Sequence, residues 1–113
     1  MASLSMTGKG NVGQIASLLA GEIANSGLSC ELVDSVRRTV GGSSFYMMVF
    51  EKYYWRASNR ASLTVLVSGA GDTVCVDAVG SGGGQGPIFK MSWGAEEDFI
   101  GTVADILRPR GFR

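Results

Sequence analysis

Leu63-Thr64-Val65-Leu66-Val67-Ser68-Gly69-Ala70-Gly71-Asp72-Thr73-Val74-Cys75-Val76-Asp77-Ala78 decides how the rest of this 113-residue chain is read. Leu63, Val65 and Val67 alternate with Ser62, Thr64 and Leu66, and Val74, Val76 and Ala78 alternate with Cys75 and Asp77. Successive side chains of a strand point to opposite faces, so each run has one apolar side. Gly69, Ala70, Gly71 and Asp72 between them supply turn chemistry, which makes the stretch a β-hairpin. A hairpin pairs antiparallel, and an antiparallel sheet needs a covering layer on its apolar face only.

Working outward, Gly41, Gly42, Ser43 and Ser44 form a turn before Phe45 to Trp55, whose β-branched and aromatic content favours a long strand. Asn59 and Arg60 are read as the turn that follows it. Leu28, Cys30 and Leu32 alternate with Ser29 and Glu31 in a strand running to about Val36. Leu4 and Met6 alternate with Ser3, Ser5 and Thr7 in a short first strand ending at Gly8. Beyond the hairpin, Phe89, Met91 and Trp93 alternate with Ile88, Lys90 and Ser92, which reads as a further strand.

Two segments carry the helical period instead. Val12, Ile15, Leu19 and Ile23 recur at helical intervals behind Asn11, an N-cap residue with Gln14 three positions on, and Gly27 is expected to close this helix. Phe99, Val103, Ile106 and Leu107 share a face of a second helix, with Glu96, Glu97 and Asp98 in its first turn and Pro109 and Gly111 after it. Two helices with one apolar stripe each need the same sheet face. The expectation is an α+β two-layer sandwich over residues 1–113, a single domain. Its sheet is largely antiparallel with five or six strands, and an N-terminal and a C-terminal helix pack on one face.

Ten Lys and Arg balance ten Asp and Glu, so net charge implies neither an acidic nor a basic partner. The arginines (Arg37, Arg38, Arg56, Arg60, Arg108, Arg110, Arg113) are spread along the chain, which argues against a nucleic-acid footprint. There is no histidine. Ser-His-Asp and Cys-His arrangements are thereby excluded, and Cys30 and Cys75 alone are too few for a structural zinc site. No metal and no cofactor is expected. Each cysteine falls in a strand-like stretch and reads as a small buried hydrophobe. Met1 to Met6 has no basic segment before an apolar run, and no stretch approaches about 18 consecutive apolar residues, so neither a secretory signal nor a membrane span is read here. The cytoplasm is the expected location.

Four features are candidates for function. Gly8, Gly10 and Gly13 match G-x-G-x-x-G, but a dinucleotide-binding strand is buried on both faces, whereas Ser3, Ser5 and Thr7 are polar. A tight strand-to-helix turn accounts for the match, and the N–H groups at the helix start beside Lys9, Gly10 and Asn11 remain a place for an anion. Gly80 to Gly86 holds five glycines in seven residues without the Gly-Lys-Ser/Thr ending of a phosphate loop. Gly82, Gly83, Gly84 and Gln85 could border a small-molecule pocket together with the Lys9 to Gly13 turn. Glu51 and Asp77, both in strands, could meet as a carboxylate pair of the kind glycoside hydrolysis uses. Finally, Tyr46, Tyr53, Tyr54, Trp55 and Arg56 give one strand aromatic side chains on both faces, one of which must point away from the helices.

Glu51-Lys52-Tyr53-Tyr54, Asn59-Arg60-Ala61-Ser62-Leu63, Gly80 to Gly86 and Trp93-Gly94-Ala95-Glu96-Glu97-Asp98-Phe99 together resemble a small bacterial family of unknown function. The resemblance implies one domain of this length with helices at both ends of a strand-rich middle, and it brings no activity or catalytic residue. The leading expectation is a non-enzymatic domain that self-associates or binds a protein partner through the aromatic strand and open sheet face. The alternative is a small-molecule or anion binder.

Overall fold

The computed structural model describes residues 2–27, 29–54, 59–82 and 93–113. In chain order the elements are β1 (Ala2–Lys9), α1 (Val12–Ala24), β2 (Cys30–Val40), β3 (Ser43–Tyr54), β4 (Asn59–Ala70), β5 (Thr73–Gly82) and α2 (Trp93–Leu107). The fold is α+β: five antiparallel strands in the order β1-β5-β4-β3-β2, with one helix from each half of the chain.

The hairpin that anchors the sequence reading is β4 and β5, joined by Gly71 and Asp72. Gly71 has φ +63° and Gly41, in the β2–β3 turn, φ +58°, left-handed values that glycine adopts without a Cβ clash. Ala61, Leu63, Val65 and Val67 of β4 and Val74, Val76 and Ala78 of β5 are buried, as their alternation requires. Register carries this parity across the sheet. Met6 faces Val76, Phe50 faces Leu63 and Met48 faces Val65, so the buried positions of four strands form one continuous floor.

Both helices lie on that floor. Val12, Ile15, Ala16, Leu19 and Ile23 of α1 and Phe99, Ile100, Val103, Ala104 and Leu107 of α2 complete the core. Each fully buried Leu, Ile, Val or Phe contributes about 1.5–3 kcal/mol relative to an exposed one. Phe112 then folds back over β1. A Cβ at Gly8 would lie 2.6 Å from its ring, and Thr7 and Arg113 exchange two backbone hydrogen bonds, of 2.9 and 3.0 Å.

Several boundaries differ from the sequence reading. α1 stops at Ala24, because after Asn25 donates to the Gly21 carbonyl the Ser26 N–H turns to the carbonyl of Ile23, three residues back, leaving Gly27 three residues downstream. β2 continues to Val40, four residues past the expected end, because β3 supplies a partner all the way to the turn. Asn59 and Arg60 are paired with Tyr54 and Tyr53 and belong to β4, not to a turn. Trp93 opens α2 rather than ending a strand; residues 83–92, which include the rest of that expected strand, lie outside the described residues.

Candidate functional site

Among the described residues, the alternation that builds the core leaves the opposite sheet face without a helix. On β1 this face carries Ser3, Ser5, Thr7 and Lys9, as solvent demands. The polar character fades across the sheet. β5 offers Thr73, Cys75, Asp77 and Val79, and β4 offers Ser62, Thr64, Leu66 and Ser68. On β3 the outward positions are Phe45, Met47 and Val49, and on β2 they include Val36 and Val40. Val36, Met47 and Leu66 lie in one cross-strand row. Val36 is 44% exposed, Met47 42% and Val79 42%.

Charge rims this patch. Arg60 pairs with Glu51 at 3.4 Å, and Ser5 donates to Asp77 at 2.6 Å. Asp34 and Arg38 flank Val36 on the same face. The Asp34 carboxylate accepts the backbone N–H of Ser35 at 2.8 Å, while the Arg38 side chain has no hydrogen-bond or ion-pair partner among the described residues.

The aromatic residues singled out in β3 divide between the faces. Tyr46 and Tyr54 point to the helical side. Tyr46 packs against the core, and the Tyr54 ring stands edge-on to Phe99, 6.5 Å between centroids. Lys52 Nζ lies 5.1 Å from the Tyr54 centroid and donates to the Ser26 carbonyl at 3.3 Å. Burial, with the Asp98 carboxylate that accepts the Tyr54 hydroxyl at 3.4 Å, raises the Tyr54 phenol well above the ordinary tyrosine range. Tyr53 faces outward opposite Arg60. Trp55 and Arg56 lie outside the described residues.

Of the expected pocket, Lys9, Gly10, Asn11 and Gly82 are among the described residues, and the strand register separates the first three from Gly82. Lys9 pairs with Thr73 and Ala2 with Gly80, so Lys9 and the start of the glycine run occupy opposite ends of β1, about 23 Å apart at ~3.3 Å per residue. Gly82 ends β5, and Gly83, Gly84 and Gln85 lie outside the described residues. At the α1 start, a polar hollow of about 280 Å³ is lined by Asn11, Gly13, Ser44, Tyr46 and Gly71 among others. The Asn11 side chain that lines it is engaged internally, accepting the Gln14 N–H at 3.0 Å, and Lys9, which does not line it, lies with its Nζ 3.5 Å from Asp72. The dinucleotide match also falls away, since β1 is an antiparallel edge strand with Phe112 seated on Gly8.

Glu51 and Asp77 do not meet. They are two strands apart and four residues out of register, about 16 Å by strand spacing and rise. The cysteines are free and half-exposed rather than buried: Cys30 on the helical side of β2, Cys75 on the open side of β5. Burial pushes the Cys30 thiol up. Among the described residues no group of three or more His, Cys, Asp or Glu side chains could hold a metal ion, and no helix is long and apolar enough to cross a membrane.

The residues that sequence reasoning missed are Val36, Phe45, Met47, Val49 and Leu66. Their signal was present, since both parities of residues 45–50 are apolar.

Fold and site together define a small α+β domain whose described residues form one helical layer and a partly apolar sheet face that no described helix covers. The chain belongs to DUF6054, a family of unknown function, whose model matches residues 1–110. No curated protein matches it.

Proposed function

We propose that this chain is a non-enzymatic interaction domain that self-associates through the β2–β3 side of its uncovered sheet face. One observation carries the reading: Phe45, Met47, Val49 and Val36 stand where a solvated face would hold polar side chains, while β1 in the same sheet obeys that rule with Ser3, Ser5, Thr7 and Lys9. The gradient points to the β2 side as the part removed from water. Two free, half-exposed thiols on opposite faces fit a reducing compartment such as the cytoplasm.

Sedimentation equilibrium of the wild type and Val36→Glu tests this. Val36 is half-exposed, so the substitution leaves the fold intact. The wild type is expected to show reversible, concentration-dependent mass that the variant lacks. A wild type that stays monomeric to high micromolar concentration contradicts self-association. A glutamate variant that associates as the wild type does moves the interface elsewhere.

A further inference from the structure

We propose that β2 is the seam at which two copies of this chain join, antiparallel and in register about Val36, turning two five-stranded sheets into one of ten strands. The inference rests on the reading that the β2–β3 side self-associates, and names the contact.

The two sheet edges are unlike. The outer side of β1 is engaged at Thr7 by both backbone hydrogen bonds from Arg113. Among the described residues no strand pairs with the outer side of β2 over its eleven residues, which are interrupted by the irregularity between Leu32 and Asp34. An open edge is a template for another strand unless it is blunted.

The free backbone groups can be assigned. Val40 and Ser43 flank the two-residue turn and form its closing hydrogen-bonded pair, so bonded and non-bonded positions alternate back from there. Thr39, Arg37 and Ser35 therefore aim N–H and C=O outward. The Ser35 N–H, finding no strand, is held by the Asp34 carboxylate.

The charge order fixes which strand fits. Asp34 precedes Val36 by two residues and Arg38 follows it by two, all on the uncovered face. A second β2 turned about Val36 sets Asp34 opposite Arg38 of the second copy, and the reverse, while Ser35 and Arg37 exchange backbone hydrogen bonds. Asp34 then releases Ser35 and takes up an arginine whose side chain has no partner among the described residues. Sliding the register by two residues sets Arg37 opposite Arg37, or Asp34 opposite Val36; of these three registers, the one about Val36 alone pairs opposite charges. It also joins the two apolar rows, Leu66, Met47 and Val36 of each copy, across the seam.

The test is sedimentation velocity over a concentration series for the wild type, Asp34→Arg, Arg38→Asp and the double charge swap. Circular dichroism confirms that all four fold, both positions being exposed. Each single reversal sets like charges together twice and is expected to weaken the dimer about tenfold or more, with the swap restoring it. Self-association that Val36→Glu abolishes but neither reversal weakens overturns the edge pairing and leaves the face reading standing. Single reversals that weaken the dimer without rescue by the swap overturn the register. A wild type that is monomeric throughout overturns both.

Discussion

Met47 and Met48 are neighbours in the chain and lie on opposite faces of the sheet, 42% and 3% exposed. The same side chain thus stands once in the core, across from Val65, and once on the bare face, across from Val36 and Leu66. This pair separates what holds the fold from what the fold offers to a second molecule.

Met48→Ala is expected to cost about 2–5 kcal/mol of stability through lost burial and a cavity, whereas Met47→Ala costs less than about 1 kcal/mol. Urea denaturation measures both. Equal losses would mean that the face assignment of β3 is wrong.

Gly8→Ala is expected to destabilise by about 1–3 kcal/mol, because the added methyl must displace the Phe112 ring and, with it, the Arg113 pairing on Thr7. Hydrogen exchange checks the coupling: protection of the Thr7 amide should fall in the variant. Unchanged protection would show that the closing segment does not depend on Gly8.

Tyr54 makes a prediction at alkaline pH. Its folded pKa is raised by burial and the Asp98 carboxylate, so between the ordinary tyrosine pKa of 10.0 and its own the folded state holds a proton that the unfolded chain has lost. Its stabilising contribution is fully present below about pH 10 and falls as pH rises beyond it. Tyr54→Phe should flatten that part of the stability curve. A variant whose alkaline loss matches the wild type would remove Tyr54 from this role.

The thiols should differ. Without any reductant step, titration under native conditions should find both cysteines free, with Cys30 reacting more slowly because burial raises its pKa and limits the thiolate. Cys30 alkylating as fast as an unhindered thiol would contradict that burial.

Much of the fold was legible. The β4–β5 alternation has one apolar parity only, and Val12, Ile15, Leu19 and Ile23 carry a helical period that no strand pattern imitates. Boundaries set by pairing were not: β2 runs on to Val40, and Asn59 and Arg60 join β4, because a neighbouring strand completes their backbone hydrogen bonds irrespective of local turn propensity. The site was legible only as a strand apolar on both faces. Tyr46, Met48 and Phe50 compete with Phe45, Met47 and Val49 for the core, and nothing within β3 decides between them. Register does, by setting Phe50 against Leu63 and Met48 against Val65. The aromatic content drew attention to Tyr54, whereas the bare face is mainly aliphatic.

Backbone amide spectra recorded along a dilution series test the central claim most directly, because they report both whether the chain associates and where. Shifts that move with concentration are expected for Asp34 to Arg38 and for Phe45, Met47 and Val49, with Ser3, Ser5 and Thr7 unmoved. Spectra that do not change from micromolar to millimolar concentration, or that change only along β1, would contradict self-association through the β2–β3 side.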